Sequence, residues 1–183
     1  MRARTYPSTN IANNLLERAA RERRGLTPMQ LLKLVYIAHA FSLGYGRGPL
    51  INEPVEAWKY GPVVRSLYNQ VRDYDGSPVS GLLQTGPNPW DRASQVDAQA
   101  DQLLQSVWSS YGSYDGYQLS NMTHMPGSPW WITWNDRGGR NQFSAVIDDN
   151  LIRDFYESKL RFATQSQEAH ASAPQTTRRP VLG

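Results

Sequence analysis

A chain of 183 residues suits one compact domain with tails, and the absence of cysteine excludes disulfides and thiolate metal sites. The formal charge of +3 invites a nucleic-acid reading, but the basic excess sits at the ends. Residues 1–25 carry six arginines against two acids and residues 161–183 three against one, while residues 26–160 hold ten basic and thirteen acidic side chains. A slightly acidic middle argues against a broad phosphate-binding groove.

In chain order, residues 1–8 read as a flexible N-terminus. A helix follows from Thr9 or Asn10 to Arg24, its apolar stripe formed by Ile11, Leu15, Leu16, Ala19 and Ala20. Arg18, Arg21, Arg23 and Arg24 lie late in it, where cations suit the helix dipole and a solvated last turn is expected. Gly25 closes it.

The stretch Leu26–Tyr68 is the centre of the chain. Thr27 is an N-cap, Pro28 fits the first helical position, Gln30 completes a capping box, and Leu26 and Leu31 form a hydrophobic staple. The helix they start is apolar almost all round, which predicts burial on several sides until Gly44, Gly46 and Gly48 end it. Leu50-Ile51 and Val55–Trp58 then read as a strand pair about the turn Asn52-Glu53-Pro54. Gly61-Pro62 reads as the start of another helix carrying Val63, Val64, Leu67, Tyr68 and Val71. The predicted fold is mainly α: a compact helical domain with a small two-stranded β-hairpin wing.

Residues 73–96 form a long Gly/Pro/Ser-rich connection, pinned at Leu82, Leu83 and Trp90. A helix returns over Asp97–Tyr111, and Asp115 with Gln118 caps a short one carrying Leu119 and Met122. Ser128-Pro129 starts a Trp-rich helix, and Asp136–Gln142 is a polar loop. Asp148 caps the last helix, where Ile147 can staple to Ile152. The single domain spans residues 9–163, and residues 164–183 read as a disordered tail.

Chemistry-bearing constellations are sparse. His39, His124 and His170 lack ligand-spaced partners, and there is no P-loop, dinucleotide fingerprint or nucleophile elbow. Neither an enzyme nor a cofactor or metal site is expected. His124 beside Ser120, Thr123 and Ser128 suits helix-end capping better than proton transfer. Trp58, Tyr60, Trp130, Trp131 and Trp134 are too many to be buried together in one small core, which leaves some of them to line a partner-binding groove beside the wing.

Two stretches resemble the Panacea domain family, which includes SocA-type antitoxins and many phage-associated proteins. They are Leu26–Tyr68, with EAWKYGPVV (Glu56–Val64) its most specific part, and YGSYDGYQLSNMTHMPGSPW (Tyr111–Trp130); IANNLL (Ile11–Leu16) also fits. The resemblance covers roughly residues 9–160 in order. It implies a mostly helical domain that neutralises toxins by direct contact or presents a bound toxin to a protease as an adaptor, with no catalytic set or cofactor. Gly61, Pro62 and Pro129 match the motifs too, and the other matching positions, Glu56, Trp58, Lys59, Tyr60, Thr123, His124, Ser128 and Trp130, are the candidate partner-binding residues. The chain departs from the family pattern in the 73–96 loop, an insertion at Asn135–Asn141 and its basic termini.

The leading expectation is therefore a cytoplasmic protein-binding module whose partner is a toxin. No apolar run approaches the ~20 residues of a membrane span, and no signal-peptide-like segment opens the chain. The alternatives are a winged-helix-like nucleic-acid binder, disfavoured because the second helix of the module offers only Arg65 and Arg72, and a phage-encoded host-interaction protein. A hydrolase built on His124 ranks last.

Overall fold

The computed structural model describes residues 4–171, with side chains to residue 167. Among the described residues there are seven α-helices and a two-stranded antiparallel hairpin: α1 (Ser8–Arg21), α2 (Pro28–Gly44), β1 (Glu56–Trp58), β2 (Gly61–Val63), α3 (Arg65–Val71), α4 (Ala98–Tyr111), α5 (Gly116–Thr123), α6 (Pro129–Trp131) and α7 (Asp149–Ala171). The mainly helical fold with a hairpin is as the sequence predicts.

Helix α2 is the axis. Its first turn closes the capping box, with Thr27 accepting from the Gln30 N–H and Gln30 reaching back to Thr27. Its apolar residues then pack on all sides against α1, α3, α4, α5, α7 and β2. Leu31, Leu34, Val35, Tyr36 and Ala38 are all but removed from water, and each large side chain so buried contributes about 1.5–3 kcal/mol before chain entropy is set against it. At its far end Gly44 lets α7 approach: a Cβ there would lie 2.7 Å from that of Tyr156. Tyr156 in turn meets Phe41 edge-on at 5.0 Å and Tyr36 at 6.4 Å.

The hairpin differs from the expected strand pair. Glu56 pairs with Val63, Ala57 with Pro62 and Trp58 with Gly61, so Lys59-Tyr60 is the turn. Gly61-Pro62, read as a helix start, is strand, and α3 begins only at Arg65. The reason is local. Gly61 has φ +111°, which a side-chain-bearing residue rarely adopts, and Pro62 has no N–H to miss at this short edge. The other edge of β1 is covered too: Ala57 N donates to Ala145 O at 2.7 Å and Ile147 N to Val55 O at 2.8 Å. Ile51, expected to pair with the 55–58 strand, bridges Tyr6 instead.

Other expectations are corrected by contacts distant in sequence. Of the expected flexible N-terminus, residues 1–3 lie outside the described residues, while Tyr6 is buried, its hydroxyl donates to Asp97 at 2.9 Å, and α1 starts at Ser8. Helix α1 stops at Arg21, short of Arg24. Arg18, placed in a solvated turn, is buried against Asn14, Gln105 and Asp101. The 73–96 connection is held by buried Asn13, whose amide exchanges hydrogen bonds with the Leu83 backbone at 2.7 and 2.9 Å. Leu83 is buried there and Trp90 is exposed, so Trp90 does not pin it. Asp136–Gln142 is not simple loop: α6 runs into a π-helical turn, Ile132–Asp136, followed by a short 3-10 turn at Gly139–Asn141. Helix α7 continues to Ala171, through the first part of the expected disordered tail; residues 172–183 and His170's side chain lie outside the described residues. Among the described residues no helix is long and apolar enough to cross a membrane.

Candidate functional site

The second family-like stretch packs under the first. Ser128 caps α6, accepting from the Trp131 N–H at 3.1 Å and donating its hydroxyl to Thr123 O at 3.1 Å. That fixes Trp130, whose indole N–H donates to Trp58 O at 2.7 Å and whose ring stacks on Trp134 at 5.9 Å. His124 sits against Trp130, ring centroids 4.1 Å apart. Its Nδ1 lies 2.6 Å from Ser120 O, which requires the proton on Nδ1. The Ser120 hydroxyl donates to Tyr60 O, so α5 and α6 together grip the backbone of the hairpin turn.

Glu56 anchors the hairpin from its other face. The carboxylate accepts from Trp58 Nε1 at 2.8 Å and from Arg65 Nε and Nη2 at 3.1 and 2.6 Å. Burial pushes the Glu56 carboxyl upward, but the hydrogen bonds from Arg65 and Trp58 outweigh it and hold the group below its usual range. The Arg65 guanidinium lies over the Trp58 ring at 4.9 Å and over Phe143 at 5.2 Å. Trp58 is thereby held by Arg65 and, edge-on at 4.8 Å, by Tyr68.

Of the eight candidates, Glu56, Thr123, Ser128 and Trp130 are buried. A partner cannot reach them without rearrangement, so they support the surface rather than form it. Trp58 and His124 are half-buried, and Lys59 and Tyr60 at the turn face solvent, Tyr60 at 62 % exposure. Structure brings all eight together around one hairpin.

Beside that hairpin lies a cleft of about 580 Å³. Helix α2 contributes Met29, Leu32 and Lys33, the hairpin Trp58, Lys59, Tyr60 and Val63, and α3 Tyr68, with Arg72 and Asp75 just beyond. Lys33 is 2 % exposed. Its ammonium donates to Pro62 O at 3.1 Å, and burial pulls its pKa from 10.5 down to about 7. Lys33, Met29, Leu32, Tyr68 and Arg72 are site residues that no motif or spacing in the sequence marks. One signal was there: Lys33 is the lone formal charge in the otherwise apolar helix LLKLVYIA.

The comparisons with known proteins agree with one another. The profile described as "Antitoxin SocA-like, Panacea domain" matches residues 31–131, which contain the hairpin, the Trp130 support and the cleft lining apart from Pro28 and Met29. Antitoxin SocA of Caulobacter vibrioides is 30% identical over 155 residues, covering 79% of this chain and 79% of that protein. No solved structure matches the chain. With the profile spanning more than half of its residues, the chain belongs to the SocA-like antitoxins of the Panacea domain family.

Proposed function

We propose that this protein neutralises a partner toxin by direct contact, as a non-enzymatic binding module of the cytoplasm, and that the hairpin tip is the centre of the contact. The observation that carries the reading is the division of labour within the family-matched segment. Its buried members, Glu56, Ser128 and Trp130, immobilise the hairpin, while Lys59 and Tyr60 are held out to solvent. A preorganised aromatic tip suits protein recognition, since large side chains that are already ordered cost little further entropy on binding. Arg65 is occupied by Glu56 rather than presented for phosphate contact, which favours a protein partner over nucleic acid.

The test is co-expression with the product of the adjacent gene, scored by growth and by co-purification. Rescue of growth with a stable complex is expected, and Tyr60→Ala should weaken the complex by about tenfold or more, as a central aromatic anchor does. Absence of both toxicity and complex would defeat the reading. Toxin that disappears in a protease-dependent manner, rather than remaining bound, would replace neutralisation with delivery to a protease.

A further inference from the structure

We infer that the cleft between α2, the hairpin and α3 is an anchor pocket for an apolar or aromatic side chain flanked by a carboxylate on the partner protein. This deepens the antitoxin reading above and rests on it.

Three observations converge. The first is shape: about 580 Å³ lies within the ~300–1,000 Å³ typical of ligand pockets. Met29, Leu32 and Val63 supply apolar wall, and Trp58 and Tyr68 an aromatic corner. The second is rigidity. Trp58 is fixed by Glu56, Arg65 and Trp130, and Gly61 is wedged so tightly that a Cβ would sit 2.8 Å from Lys33 Nζ and 3.0 Å from His124 Cε1. The pocket is preformed rather than induced.

The third is charge. Lys59 and Arg72 stand at the rim and Lys33 in the wall, against a single lining acid, Asp75. The Lys33 ammonium has Pro62 O as its hydrogen-bond acceptor and, among the described residues, no carboxylate within ion-pair distance. Lys33 is too enclosed for direct contact, so a docked carboxylate pairs with the exposed Lys59 and Arg72, and the uncompensated cation in the wall behind adds to the positive potential that attracts it. An acidic group beside an apolar anchor is the complement of both features.

The experiment uses the full chain and the adjacent gene's product, with affinity measured by titration calorimetry and folding checked by thermal melting. The exposed rim is reversed in Lys59→Glu/Arg72→Glu, and the cleft is plugged in Met29→Trp. Each should weaken binding by about tenfold or more, and Asp75→Lys should strengthen it by about threefold, with the gain shrinking at high salt. Arg153→Glu, on the exposed side of α7, should bind within about twofold of wild type. Because the rim residues are exposed, their variants keep the fold and the result stays interpretable. If wild type forms a complex but the reversed and plugged variants bind equally well, the pocket is not the anchor and the antitoxin reading stands. If wild type forms no complex, both fall. If millimolar phenylpropionate binds wild type but does not compete with the partner, the cleft is a small-molecule site and the protein-anchor assignment is wrong.

Discussion

Two buried polar side chains on the same helix show how differently α2 treats its two ends. His39 is 1 % exposed and its ring is fully used: Nδ1 receives the Leu50 and Ile51 N–H groups at 3.3 and 3.4 Å, and Nε2 lies 3.1 Å from Asp149 Oδ1. Since Nδ1 is an acceptor, the proton sits on Nε2 and is donated to Asp149. Lys33 is equally buried but has a single carbonyl for an ammonium with three donors. His39 ties the 50–51 segment and the start of α7 to the axis. Lys33 stands in the wall of the cleft with one carbonyl and, among the described residues, no ion pair. Buried polarity is structural in the first case and unspent in the second.

Breaking the satisfied side should cost most. His39→Ala leaves two backbone N–H groups and the Asp149 carboxylate without their partner and opens a cavity beside Ile51. A loss of about 3 kcal/mol is expected, read as a lower denaturant midpoint with unchanged slope. Partner affinity in the fraction that remains folded should hold, because His39 is remote from the cleft lining.

The unsatisfied side should respond in the opposite direction. Lys33→Met exchanges a buried cation for an apolar chain of similar length and should stabilise the fold by about 2 kcal/mol at pH 6. The pH dependence follows from the lowered pKa. Below about 7 the group is charged in both the folded and the unfolded chain, and the penalty of burying it is complete. Between about 7 and 10.5 the folded chain releases a proton that the unfolded chain keeps, so wild type gains stability as pH rises. The advantage of Lys33→Met should therefore be largest at pH 6 and shrink by pH 9. The comparison ends there because Tyr36 and Tyr156, raised by burial, work against the fold once unfolded tyrosines ionise near pH 10. A stability difference that does not vary between pH 6 and 9 would show that Lys33 is not a strained cation.

The same contrast separates what the sequence makes legible from what it hides. Caps are local, so Thr27 with Gln30, Asp115 with Gln118, and Ser128 are readable from three or four neighbouring residues, and each is found in place. Gly61-Pro62 is hidden as strand because Gly-Pro is a good helix start in isolation. The positive φ of Gly61 makes it strand, and the Lys33 ammonium on Pro62 O and the 145–147 segment alongside β1 hold it there. Arg18 looked like a solvated arginine because its partners, Asp101 and Gln105, come from α4. The cleft was hidden for the same reason: three elements close it, and Lys33, its one odd residue, gives a pattern signal only as a charge within an apolar run. Tyr60 and Lys59 could be found because a family-like motif marks them, although the motif alone does not separate the buried Trp130 from the exposed Tyr60.

Glu56 sharpens the comparison with the smallest effect. It is a buried charged side chain, though less enclosed than Lys33 or His39, and it has its counterion: Arg65 reaches both carboxylate oxygens, and Trp58 donates to one. Glu56→Gln keeps an acceptor for one of these donors and loses the charge, for a cost of about 1 kcal/mol at pH 7. The sign in pH is the reverse of that for an ordinary destabilised acid. The folded carboxyl titrates below its usual value of 4.5, so its contribution is complete above that value and is lost as pH falls through the folded pKa. Wild type and Glu56→Gln should therefore converge in stability under acid and differ at neutrality, while Lys33→Met diverges from wild type at pH 6 and converges under alkali. If both variants show these opposite profiles, the presence or absence of a counterion, rather than burial itself, is what distinguishes the hairpin's anchor from the cleft's open cation.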